Sequence, residues 1–540
     1  MKKHYRILTL LSLLCLLASP SCTKLKDRSY NELIEKEFTP TPGDISAFVG
    51  SAYVNWRYLL LFWNGLHRAQ ENTADGMVIP ARPNGWVDGG IFRRIHEHKW
   101  TSEDDVVLNC WNRSYEGITN CNRIIYQVET NRIPLGDAKD ATIAELKVLR
   151  ASYYYVLCDL YGNIPIVDKW DVPEGYIPEQ SSRQQVFDFI VKEITDNLGL
   201  LSEESGPTMY ARFNKWAAHF LLAKMYLNAE VFTGTPKWNE CIAQCEAIEA
   251  SENYILEASQ KNVFVTENEN SKEIILALPI DENYTKDWNS FDIHMQTLQP
   301  ANQATYNLLY APWGGICAVP QFINTFDPED NRYKDNWIRG QQYSATGAPL
   351  NCTMGTLTGA PLNFINEVPA IDLSEEIHGL RLGKFEIADG SNVMINNDWP
   401  LFRYADVLLM RAESLLRTNR AADAATIVSN VRLRNFPANP GKATVTGPEL
   451  EVGSIYDYGR RDRHVNTSEG GANIRYGRFL DELGYEFAQE AHRRQDLIRF
   501  DVFTKKSWFS HAPNGDYRKL FPIPAQAMRT NNKLNQNDGY

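Results

Sequence analysis

The chain has 540 residues, 43% of them hydrophobic and 23% charged, which suits a globular protein large enough for more than one domain-sized unit. Its formal net charge of −12 excludes a nucleic-acid binder, because that partner demands a basic face. The 13 Trp, 26 Tyr and 23 Phe must mostly fill a core, but rings of this kind also stack on flat, partly apolar ligands such as sugars.

Lys2, Lys3 and Arg6 give a positive start, and Ile7 to Ala18 is an apolar run too short to span a bilayer. Small residues lead to Cys22, and Ser19-Pro20-Ser21-Cys22 resembles a lipoprotein cleavage box with Ser19 where Leu is common. Residues 1–21 therefore read as a lipoprotein signal peptide, with Cys22 as the lipidated first residue of the mature chain. Apart from Cys15 and Cys22, seven cysteines remain at irregular spacing, which is no disulfide framework. Cys241 with Cys245, and His96-Glu97-His98, lack companion ligands, so neither predicts a metal site. No cofactor is expected, and structural calcium has no recognisable coordinating loop.

Along the chain, about 65–105 is an irregular stretch. Ala144 to Leu157 then runs with helical periodicity until Gly162 and Pro165 stop it, and Val186 to Leu201 predicts the next helix. Trp216 to Val231 carries Ala217, Leu221, Met225 and Ala229 on one stripe, and after a turn at Thr233-Gly234-Thr235-Pro236 the run Trp238 to Ala250 forms its partner. About 255–395 is rich in Gly, Pro, Asn, Thr and aromatics, with a strand-like piece at Glu273 to Leu278. Leu401 to Arg417 and Ala421 to Leu433 make a further helix pair, with Leu401, Ala405, Leu408, Ala412 and Leu415 facing one way. The expected fold is mainly α: a tetratricopeptide-like helical-repeat scaffold with a large irregular, loop-rich region containing short strands. The boundaries divide the chain into 22–255, an irregular 256–395 that would bear the ligand, and 396–540.

Enzyme signatures are missing: there is no phosphate-cradling Gly-rich loop before a helix, no G-x-S-x-G and no H-E-x-x-H. A different set of blocks is present. Trp111 to Ile118 with Asn122-Arg123-Ile124-Ile125, then Glu145, Leu149-Arg150-Ala151, Tyr154 and Leu160 to Pro165, resemble the opening patterns of the SusD/RagB family. Phe402 to Glu413, Asn430-Val431-Arg432, Arg493 to Phe500, Phe521-Pro522-Ile523-Pro524 and Gln536 to Tyr540 resemble its later ones, in family order. Two departures stand out: Asp481-Glu482-Leu483 where the family has D-E-R, and Glu490-Ala491 where it has E-G. Both read as architectural, and Arg150, Glu413 and Arg499 read as buried ion-pair or helix-cap partners.

The resemblance implies about four helix pairs and a surface-exposed, lipid-anchored place at the outer membrane. It also implies a SusC-like TonB-dependent transporter as partner, for which the protein captures an oligosaccharide. An oligopeptide ligand is the alternative, and a surface glycoside hydrolase a remote one. Within the irregular region, Trp86-Val87-Asp88-Gly89-Gly90 and Trp313-Gly314-Gly315-Ile316-Cys317 supply rings, polar groups and glycines suited to close approach by a ligand. The candidate ligand contacts are thus Trp86, Asp88, Trp313 and Cys317, with Asp75, Arg381 and Tyr404 added from their loop or helix-start positions.

Overall fold

The computed structural model describes residues 41–281, 283–285 and 291–540; the signal segment and Cys22 lie outside them. Eight long helices form the scaffold: α1 Pro42–Leu61, α2 Asp105–Glu129, α3 Lys139–Leu160, α4 Arg183–Asn197, α5 Lys215–Leu227, α6 Trp238–Ala250, α7 Tyr404–Arg417 and α8 Ala421–Leu433. They pack as the pairs α1–α2, α3–α4, α5–α6 and α7–α8, and α2–α3 and α6–α7 contacts join one pair to the next. This is the expected four-pair array. Local chemistry sets the helix ends. Thr41 and Asp44 form a capping box on α1 with Pro42 in the first turn, Ser182 and Gln185 do the same for α4, and Asn214 caps α5.

Close helix contact depends on Gly117 of α2. A Cβ there would stand 2.4 Å from the Tyr153 ring of α3. The Tyr153 hydroxyl in turn donates to the Ala52 carbonyl of α1 at 2.7 Å, so three helices meet at one ring. The stripe Ala217, Leu221 and Met225 is fully buried, as its spacing requires. All seven cysteines among the described residues are free and buried.

Two boundaries differ from expectation. α5 stops at Leu227, and a short helix Ala229–Thr233 restarts after Asn228, whose side-chain amide bonds back to the Lys224 carbonyl. Leu401 belongs to a strand, Trp399–Arg403, that pairs antiparallel with Ile274–Leu278, so α7 begins only at Tyr404. The chain changes from strand to helix without any break in its apolar spacing.

The irregular region is built on two-residue antiparallel pairings: Met77–Val78 with Cys317–Ala318, Trp337–Ile338 with Arg381–Leu382, and Gly340–Gln341 with Asn363–Phe364. One buried core runs through both helical ends and much of this region. Helices α9 Gly477–Phe487 and α10 Arg493–Arg499 close the array, and a buried charge cluster binds them to the rest. Arg403 reaches Glu273 and Glu486 at 2.9 Å each and Glu490 at 2.6 Å, while Arg434 meets Glu486 at 2.7 Å and Arg332 meets Glu482 at 2.6 Å. Burial alone would raise the Glu486 carboxyl, but Arg434, Arg403 and Arg332 hold it well below its ordinary value. Removing one partner from such a cluster leaves a buried charge uncompensated, which typically costs about 3–5 kcal/mol. The departure at Leu483 fits here as core packing. Arg150 with Glu193, and Arg499 with Glu413 at 2.8 Å, are the buried ion pairs the sequence suggested.

Candidate functional site

The pairing of Met77–Val78 with Cys317–Ala318 brings the segments before and after it together, so the loop carrying Trp86 meets the loop carrying Trp313. Asn84 fastens them. Its side-chain amide donates to the carbonyls of Trp313 and, at 2.8 Å, Gly314, while its oxygen accepts from the Trp86 N–H at 3.0 Å. Trp86 lies directly on the Gly315 main chain, where a Cβ would stand 2.4 Å from the indole. That glycine makes room for the tryptophan itself, not for a ligand. Trp86 also contacts Phe92 edge-on at 4.8 Å and Trp63 at 5.9 Å, and the Arg68 guanidinium lies 5.7 Å from its ring centre. Trp63, Trp86 and Trp313 are each half-buried and packed against core residues, with Val87, Leu309 and Tyr310 exposed on the same loops. The exposed Asp88 accepts a hydrogen bond from the Trp63 side chain.

Beneath the indoles is a small pocket of about 30 Å³ between Trp63 and Trp399, into which Asn64, His67, Arg68, Asp292 and Gln296 point polar groups. Arg68 sits in a π-helical turn, Arg68–Asn72, of the kind often found at functional sites, and donates to Gln296, which donates to Asp292. Several atoms remain unpartnered among the described residues: both amide atoms of Asn64, Nη1 of Arg68 and Oδ2 of Asp292. Burial pushes the Asp292 carboxyl up to about 6 and the Arg68 guanidinium down to about 10; burial, with Arg68 beside it, takes His67 down to about 3. The pocket is too small for a sugar ring but large enough for water or a ligand's hydroxyl group.

Of the expected contacts, Trp86, Asp88 and Trp313 lie on two loops that Asn84 ties together. Three others need correction, because they are fully buried and partnered inside the scaffold. Asp75 accepts from Arg493 at 2.7 Å and from the Tyr458 hydroxyl at 2.9 Å. Arg381 donates to the Glu376 carbonyl at 2.6 Å and lies 4.7 Å from the Phe364 ring centre. Cys317 sits in the strand pairing with its thiol against Gly379. Tyr404 is half-buried at the start of α7, and the charges facing it are Glu249 and Arg411 of the helical scaffold. The sequence reading missed Trp63, Asn64 and Arg68. Trp63-Asn64-Gly65 has the same ring-then-glycine texture as the other two loops and was the available signal.

Two family sequence models match the chain. One, described as starch-binding associating with outer membrane, covers residues 67–227, and the other, the SusD family, covers residues 272–540. Starch-binding protein SusD of Bacteroides thetaiotaomicron is 25% identical over 446 residues, 74% of this chain and 72% of that protein. Among solved structures, a laminarin-binding SusD-like protein superposes with a TM-score of 0.70 at 18% identity, covering 93% of this chain and 100% of that one. Surface glycan-binding protein A from Bacteroides thetaiotaomicron, in complex with laminarihexaose, gives 0.69 at 17% identity, over 92% of this chain and 99% of that one. With its four helix pairs, its irregular loop region and sequence matches over both halves, the chain belongs to the SusD family.

Proposed function

We propose that the protein is a glycan-binding lipoprotein of the outer cell surface that captures oligosaccharides on the Trp63–Trp86–Trp313 patch and passes them to a SusC-like TonB-dependent transporter. It acts by binding, without catalysis. The observation that carries this reading is the contact of two half-buried indoles, Trp63 and Trp86, beside a pocket of unpartnered polar atoms, with the Trp313 loop tied to Trp86 through Asn84. Open ring faces bury sugar C–H surface, and the pocket beneath offers hydrogen bonds to hydroxyls. Family membership, and relatives named for binding starch, laminarin or surface glycans, favour a sugar over a peptide. Among the described residues no helix is long and apolar enough to cross a membrane, and anchoring is assigned to Cys22.

The test is calorimetry and affinity electrophoresis against starch, laminarin, xylan and their hexasaccharides, with a peptide mixture as the contrast. Saturable binding of one glycan that Trp86→Ala weakens at least about tenfold supports the reading, whereas binding confined to peptides overturns it. In the native organism, Cys22→Ala is expected to end fatty-acid labelling. Gentle detergent extraction of the wild type is expected to bring down a TonB-dependent barrel.

A further inference from the structure

A cleft of about 470 Å³ opens elsewhere on the irregular half and shares no lining residue with the pocket beneath the indoles. Gln321, only 7% exposed, forms part of its wall. Its side-chain nitrogen donates to the carbonyls of Asp457 at 2.6 Å and Gly459 at 3.0 Å, which fixes the amide, and its oxygen has no partner among the described residues. Asn366 repeats the arrangement: its nitrogen donates to Asn324 at 2.8 Å, and its oxygen is buried with no partner among the described residues. Two carbonyl acceptors are therefore held in place along one cleft, without donors. A ligand that completes them must bring O–H or N–H groups.

The charges narrow the class. Asp457 and Arg461 pair at 2.7 Å and neutralise each other. Burial and then Arg82 lower the proton affinity of His378, which leaves it neutral at physiological pH. Glu367 remains on the rim with no ion-pair partner among the described residues, which disfavours anionic ligands. Val368, Pro369 and the 55% exposed Ile455 supply an aliphatic surface between the polar groups. Donor hydroxyls on a neutral ring with apolar C–H faces satisfy all three requirements.

We infer that this cleft is a second glycan subsite, taking a neutral pyranose whose hydroxyls donate to Gln321 and Asn366. The inference rests on the glycan-binding reading above and extends it: a chain long enough to reach both subsites is favoured over a short one through effective concentration.

Three variants test it on the same polysaccharide and hexasaccharide panel: Ile455→Arg, which crowds the rim from an exposed position; Asn366→Ala; and the double variant Trp86→Ala/Trp313→Ala. With Ile455→Arg, hexasaccharide affinity should stay within about twofold while retention on the polysaccharide weakens about tenfold. Asn366→Ala should act in the same direction, with thermal melts confirming that both variants fold. The double Trp variant should keep a weak polysaccharide retention that disappears when Ile455→Arg is added. Polysaccharide retention unchanged in both Ile455→Arg and Asn366→Ala overturns the second subsite. Full hexasaccharide binding by the double Trp variant would instead overturn the indole patch, and Ile455→Arg would still decide the cleft. A wild type that binds nothing in the panel overturns both.

Discussion

Gly315 and Trp86 share one space: the indole lies where any side chain at 315 would have to go. A methyl group there would meet the ring at 2.4 Å and the Ile79 side chain at 3.4 Å, so the ring must move. Gly315→Ala is expected to tilt Trp86 out of its place beside Phe92 and Trp63. Overpacking of this kind costs about 1–3 kcal/mol of stability. Glycan affinity should fall about tenfold, the loss expected when one stacking contact of about 1.4 kcal/mol is disordered. Calorimetry on the folded variant checks this, and unchanged affinity would show that the Trp86 ring position does not govern binding.

Trp86→Ala and Trp313→Ala should each weaken binding. Burial of about 60–100 Å² of sugar surface by one ring, at roughly 25 cal/mol per Å², is worth on the order of 1.5–2.5 kcal/mol. That corresponds to a loss of about ten- to seventyfold. Both rings also pack on core residues, so melting temperatures should fall as well, Trp313 through its small cluster with Met295, Leu298 and Leu308. Affinity measured on the folded fraction separates the two effects. Melting that falls while affinity holds would reduce these rings to packing.

The helical scaffold was legible because its signal is local. Trp238–Ala250 and Ala421–Leu433 fall where punctuation and apolar spacing put them. Leu401 did not, because its strand is selected by pairing with Ile274–Leu278, more than 100 residues away, while its apolar spacing continues into α7 unchanged. The site was half legible for the same reason. Ring-and-glycine loops can be seen in sequence, and Asn84 ties the loop of Trp86 to that of Trp313. Asp75, in contrast, is claimed by Arg493 and Arg381 by the Glu376 carbonyl, and no local pattern distinguishes a loop charge facing solvent from one paired across the fold.

Acid should destabilise the fold in a defined window. His96 and His98 point Nε2 at the carbonyls of Phe509 and Thr73, each at 2.7 Å, and the His98 and His511 ring centres are 4.1 Å apart. Burial lowers all three, as it does His67, His294 and His492. A group depressed in the folded state contributes stability that is present above its unfolded value near 6.5 and is lost as pH falls below it. Glu71, raised by burial to about 7, and Asp292 and Asp481, each raised to about 6, act the opposite way, gaining stability as pH falls toward their unfolded values near 4. The histidines outnumber the carboxyls raised this far, so between pH 6.5 and 4.5 the urea midpoint should decline. Unfolding near pH 5.5 should take up more than one proton net, a slope above about 1.4 kcal/mol per pH unit. A flat or rising midpoint across that window would show that these imidazoles are not held neutral.

Ala491 stands where the family pattern has glycine, and its φ is 65°, in the left-handed region that a Cβ disfavours. The conformation is imposed from both sides. Glu490, immediately before it, is fixed by Arg403 and Lys384, and His492, immediately after it, donates its backbone N–H to the buried Glu71 at 3.2 Å. The segment cannot relax to a negative φ without breaking one of these contacts. Relief of left-handed strain is worth about 1–2 kcal/mol, and the extra freedom of glycine in the unfolded chain returns about 0.4–1 kcal/mol of that. Ala491→Gly should therefore stabilise the protein by about 0.5–1 kcal/mol, read as a higher denaturant midpoint with an unchanged slope. Glycan affinity should not change, since residue 491 lines a different cavity from the pocket beneath the indoles. A lower midpoint would mean that the methyl group contributes more through packing against the core than its backbone costs in strain.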